Sequence, residues 1–191
     1  MNNRKQSGFT LIEMLGVLTV MAILMAVTMS AFRGIGKTAK IDSALNQLTS
    51  TLRLSRQLAI TKTAPVAVVF PSYAQSTNYG LQAYAVFQSG DQVSEWKFMP
   101  KGIYIDDSQS LTGNVFKVSL LVGTNFPGLP VDNYAMLHFK PNGTVDGMYP
   151  RVWIVEAIQN PDGTLIPLRQ VGSETNCISI NNLTGTSRII R

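Results

Sequence analysis

Apolar residues run almost without interruption from Phe9 to Phe32, FTLIEMLGVLTVMAILMAVTMSAF, with Glu13 as the only charge. A helix needs roughly 20 such residues to cross a bilayer, and the stretch is rich in helix formers and free of proline. A secretory signal peptide also has a basic start, but its apolar part usually covers only about 7–15 residues. The pattern predicts a transmembrane helix over 9–32. Beyond Phe32 the apolar positions become periodic. Ile41, Leu45, Leu48 and Leu52 recur at spacings of 4, 3 and 4, one stripe of an amphipathic helix over 33–63. Pro65 disfavours helix at Ala64. Gly34 and Gly36 each cost about 1 kcal/mol inside a helix, which predicts a soft point there, or a bend or break between membrane helix and soluble domain.

Past Pro65 the period changes. Val66–Phe70 is a short apolar run, and Leu81–Phe87 alternates only in part. Glu95–Met99, Val115–Val122, Ala135–Phe139, Val152–Ile158, Leu165–Leu168, Cys177–Ile180 and Ser187–Ile190 are further predicted strands. Turn chemistry separates them at Ser89-Gly90-Asp91, Pro141-Asn142-Gly143, Asn160-Pro161-Asp162-Gly163 and Asn181 to Gly185. The clearest hairpin joins Val152–Ile158 to Leu165–Leu168. Ser108–Asn114 and Gly123–Asn133 read as loops. An amphipathic helix followed by antiparallel strands predicts an α+β fold, with a long N-terminal helix packed through its second half on a β-sheet domain over 64–191.

Charge refines this division. The net charge of +5 is made of +2 in residues 1–8, −1 in 9–32, +5 in 33–62 and −1 in 63–191. The large domain is close to neutral, which argues against a generally basic nucleic-acid binder. Arg33, Lys37 and Lys40 share one helix face. They can meet anionic lipid headgroups or simply solvent, or acidic groups on neighbouring subunits, or nucleic acid. Arg4 and Lys5 favour a cytoplasmic N-terminus, but the three bases beyond the span nearly balance them.

Little chemistry is visible. Cys177 is the only cysteine and His138 the only histidine, which excludes an intrachain disulfide and clusters of either residue around a metal. Cys177 reads as a small buried hydrophobe in a strand. A Cys177/His138 nucleophilic pair has no identifiable third group to orient it. Asp106, Asp107 and Asp162 lack the spacing of a calcium loop. Asn142-Gly143-Thr144 and Asn182-Leu183-Thr184 fit the glycosylation pattern but read as turns. No metal, cofactor or enzymatic activity is expected. Glu13 is the unusual residue, because a charge inside an apolar helix is costly. It either lies near the interface and reaches water or has a partner amine, which a cut after Gly8 would create at Phe9.

Gly8-Phe9-Thr10-Leu11-Ile12-Glu13, behind an eight-residue basic leader and ahead of some twenty apolar residues, resembles the class III leader of type IV pilins and pseudopilins. The resemblance implies a leader over 1–8, cleavage between Gly8 and Phe9 by a prepilin peptidase, and N-methylation of Phe9. It implies that Glu13 pairs with the N-terminal amine of an adjacent subunit during assembly. It implies a single-pass protein of the bacterial inner membrane, with a cytoplasmic N-terminus and a periplasmic or extracytoplasmic domain. The implied partners are other pilin or pseudopilin subunits, the prepilin peptidase and the inner-membrane assembly platform. Leu52–Ile60 leading into Ala64–Val68, then Leu137–Thr144, then Cys177–Ile180 with Leu183-Thr184-Gly185 and Arg188, look like the GspH/FimT group of minor pilins and pseudopilins. The last turn departs from that group, with Gly185-Thr186 where Gly-Arg is usual. The expected function is a structural subunit of a type II secretion pseudopilus or a type IV pilus. The alternative the resemblance offers is a DNA-binding minor pilin acting in DNA uptake, through Arg188 and Arg191 with Arg169.

Overall fold

The computed structural model describes residues 10–72, 80–107, 113–118, 120–122, 133–147, 149–162, 164–168 and 176–190. The cleavage pair Gly8 and Phe9, and the arginines Arg169 and Arg191, lie outside the described residues. The fold is α+β. A helix α1 over Leu11–Lys62 stays helical through Gly34 and Gly36, so the break is not there; the good helix formers around the two glycines carry the backbone through them. The chain divides into two compact units, Met1–Ala39 and Lys40–Arg191.

Within the first unit, Leu11–Met29 is long and apolar enough to cross a membrane, and its side chains are exposed among the described residues. Within the second unit, Ile41, Ala44, Leu45, Leu48, Leu52 and Ala59 of α1 are buried in the main core. This is the stripe the spacing predicts. Fully burying a leucine is worth about 1.5–3 kcal/mol, so Leu45, Leu48 and Leu52 anchor this part of the helix.

Two antiparallel sheets complete the unit. The first takes β1 (Val66–Pro71), β2 (Ala83–Gln88), β3 (Asp91–Gln92), β4 (Lys97–Phe98), β6 (Leu120–Val122) and β7 (Asn133–Phe139), in the order β3-β2-β1-β7-β6 with β4 also on β2. The second takes β5 (Ile103–Ile105), β8 (Arg151–Gln159), β9 (Leu165–Pro167), β10 (Cys177–Ile180) and β11 (Ser187–Ile190), in the order β11-β10-β8-β5 with β9 on β8. Val66, Val68 and Phe70 of β1 face the main core beside Tyr84, Leu137, Ile154 and Ile178. Ala67 and Val69 face the opposite way, into a second cluster with Ala85, Phe87 and Tyr134. β1 and β2 are therefore buried on both faces, which explains the unbroken apolar run of one and the weak alternation of the other.

Four sequence expectations change. Val115–Val122 is not one strand: Val115–Val118 is a short helix α2, and a strand resumes at Leu120. Asn114 causes this, because its Oδ1 accepts from the Phe116 N–H at 3.0 Å as a helix cap. Ile103–Ile105 is a strand too short to show a period. Asp91 leaves the expected turn and pairs with Gln88. Asn133 begins β7 instead of ending a loop, while 108–112 and 123–132 lie outside the described residues.

Candidate functional site

The start of α1 is built by two side chains. Thr10 precedes the helix and Glu13 lies in its first turn. The Glu13 carboxylate accepts from the Thr10 N–H at 2.9 Å and from the Thr10 hydroxyl at 2.8 Å, while the Glu13 N–H donates to Thr10 Oγ1 at 3.3 Å. This is a reciprocal capping box, satisfying donors that the first helical turn leaves open. The sequence offered Glu13 either water at the interface or the Phe9 amine as partner and did not bring in Thr10, although Thr-x-x-Glu ahead of an apolar run is the signal for this cap. Behind the cap, the hydroxyls of Thr19 and Thr28 donate to carbonyls in the preceding turn of the helix. The exposed surface of Leu11–Met29 is otherwise almost wholly apolar.

Of the three arginines expected near nucleic acid, only Arg188 falls among the described residues. It is exposed on β11 and lines a groove of 580 Å³ with Tyr149, Ser179, Asn181, Thr186, Ile189 and Ile190. Strand register sets Ser179 opposite Arg188 on one side and opposite Arg151 on the other. Arg151, Ser179 and Arg188 thus form a row across one face of β8, β10 and β11. The only salt bridge among the described residues is Lys140–Asp146, at 2.6 Å.

The remaining candidates separate. Cys177 is buried in β10 of the second sheet and His138 belongs to β7 of the first, so no nucleophilic pair exists. No group of three metal-ligating side chains forms among the described residues. Asn142 and Asn182 both lie in turns: Asn142 accepts from the Thr144 N–H, and the second turn is shaped by the neighbouring Asn181, which accepts from the N–H groups of Leu183 and Thr184. Asp107 adjoins the buried Asp106, and burial first, then the neighbouring carboxylate, raises its pKa.

Residues 3–29 match the prokaryotic N-terminal methylation motif. No curated protein and no solved structure matches the chain. The motif falls on the capped, exposed apolar helix, and together they support a type IV pilin-like reading in which the N-terminal segment fits anchoring in the inner membrane.

Proposed function

We propose that the chain is a minor pilin or pseudopilin, a non-enzymatic subunit of a type II secretion pseudopilus or a type IV pilus. A prepilin peptidase cuts between Gly8 and Phe9, Phe9 is N-methylated, and the helix packs among those of other subunits on the inner-membrane assembly platform. The domain lies on the far side of the membrane from the leader. The observation that carries this reading is the coincidence of the methylation motif at 3–29 with an apolar helix, Leu11–Met29, whose side chains are exposed among the described residues. Such a surface requires lipid or other helices. The finer placement in the GspH/FimT group draws support from the amphipathic helix leading into β1 and from the β10–β11 hairpin.

Glu13 has two successive roles in this reading. The capping box holds its carboxylate to its own Thr10, and the Phe9 amine released by cleavage then offers a charged partner, which gives a stronger hydrogen bond. Cleavage also removes Arg4 and Lys5, lowering the net charge from +5 by two. The test is the intact mass of the chain from cells that contain the assembly machinery. The wild type should be short by residues 1–8 and methylated, and Gly8→Ala should keep its full length. Normal shortening and assembly of Gly8→Ala would refute the proposal. The DNA-uptake alternative rests on Arg188 alone among the described residues, and salt-dependent DNA binding lost in Arg188→Ala would favour it.

A further inference from the structure

We propose that the open edge of β11 receives an extended, acidic segment of a partner polypeptide by strand addition. This goes beyond the filament reading and does not depend on it. β11 is the outermost strand of the second sheet. The other edges among the described residues are shorter or blunted, β6 included, which has three residues. β3 and β4 have two residues each, β9 has three and contains Pro167, and at β5 the Ile105 N–H donates to Leu81 O at 2.7 Å. β11 has four residues and no proline. Its groove takes lining from Arg188 and Ile190 and also from Ile189 between them. Successive side chains point to opposite faces, and Arg188 and Ile190 share with Ser179 of β10 the face on which the groove opens, so the groove adjoins the open edge of β11 on that face.

The backbone agrees. The Asn181 N–H donates to Thr186 O at 2.9 Å, and alternation along an antiparallel ladder turns the N–H and C=O of Ser187 and Ile189 to the open side. An added polypeptide strand matches both donors and acceptors. A nucleic acid backbone offers acceptors alone. The charge calls for an acidic segment: Arg188 is exposed at the edge, Arg151 stands on the same face across Ser179, and among the described residues neither has a salt bridge and none that lines the groove is acidic. A second copy is disfavoured by the same residue. Of the two registers that pair three residues of β11 with a copy, the one with more hydrogen bonds sets Ser187 against Ile189 and one Arg188 directly against the other, a repulsive pair.

The test uses the full chain in detergent micelles and a blocked octapeptide of alternating glutamate and valine as probe. Binding should slow amide hydrogen exchange at Ser187 and Ile189. A lysine–valine octapeptide should not bind. Arg188→Gln should weaken binding about tenfold, the size of one charge-assisted hydrogen bond. Methylating alternate backbone nitrogens of the probe should abolish binding without altering the protein at all. Equal binding of the N-methylated probe, unchanged exchange at Ser187 and Ile189, or an Arg188-dependent preference for a DNA oligonucleotide over the peptide would each overturn the proposal.

Discussion

Gly185 joins two hairpin turns to the helix. Its φ is +64°, and a Cβ there would overlap the carbonyl oxygen of Gly143 and crowd the Arg56 side chain at 3.1 Å. Arg56 Nε in turn donates to Gly143 O at 3.3 Å. Gly90 also has a positive φ, +97°, but its Cβ would meet nothing within 4 Å. Gly90→Ala should therefore cost only its backbone strain, about 1–2 kcal/mol. Gly185→Ala should cost more than about 2 kcal/mol, since it adds a steric overlap to similar strain; urea unfolding of the two variants measures the difference. Asp107 makes a prediction of opposite sign. Its pKa is raised in the folded state, so the protonated form is favoured there. That contribution is fully present below the unfolded pKa, about 3.9, and is lost as pH rises through the folded value. Asp107→Asn should raise the melting temperature at neutral pH and leave it unchanged well below pH 4. An equal gain at both pH values would show that charge is not the cause.

At the scale of elements, α1 beyond Ala39 is a helix held by one face. Leu48 is 0% exposed and Leu54 is 61% exposed, on the same stretch. Leu48→Ala should lose about 2–5 kcal/mol through lost burial and a cavity, while Leu54→Ala should stay within about 0.5 kcal/mol. Comparable losses by chemical denaturation would mean that the stripe does not hold the helix. That stripe was legible in the sequence because a half-buried helix writes its period into the chain. β7, β8, β10 and β11 were legible as apolar runs between turns. The missed elements share a physical cause. α2 depends on one cap, Asn114, whose Nδ2 also donates to Asp106 O at 2.7 Å, a contact eight residues away that no local pattern records. β5 is three residues long, below the length at which alternation can be read. The candidate site divides in the same way. The apolar helix and Glu13 stood out by contrast with their surroundings. The row of Arg151, Ser179 and Arg188 depends on strand register, and Arg151 is far from Arg188 in sequence.

Across the whole molecule, two units answer to different solvents. Lys40–Arg191 buries its own core of aromatic and aliphatic side chains, and heat or denaturant acts on it as on any water-soluble domain. Leu11–Met29 is exposed among the described residues. In an apolar medium such a helix is strongly held, because every backbone N–H and C=O released from it there costs several kcal/mol. Heating the full chain in detergent micelles should therefore remove the near-ultraviolet signal of the domain, where the rings of Trp96 and Phe87 pack at a 60° tilt with centres 6.1 Å apart, in a single transition. The far-ultraviolet signal should fall only part of the way in that transition. It should level off at a residual helicity set by the 19 residues of Leu11–Met29 and whatever flanking turns the micelle covers. Leu24→Pro, which removes one backbone donor in mid-span and opens a second carbonyl, should lower that plateau and leave the domain's melting temperature in place. If both signals vanish together, or if Leu24→Pro shifts the domain's transition, the two units are not independent and the anchor contributes to the stability of the fold.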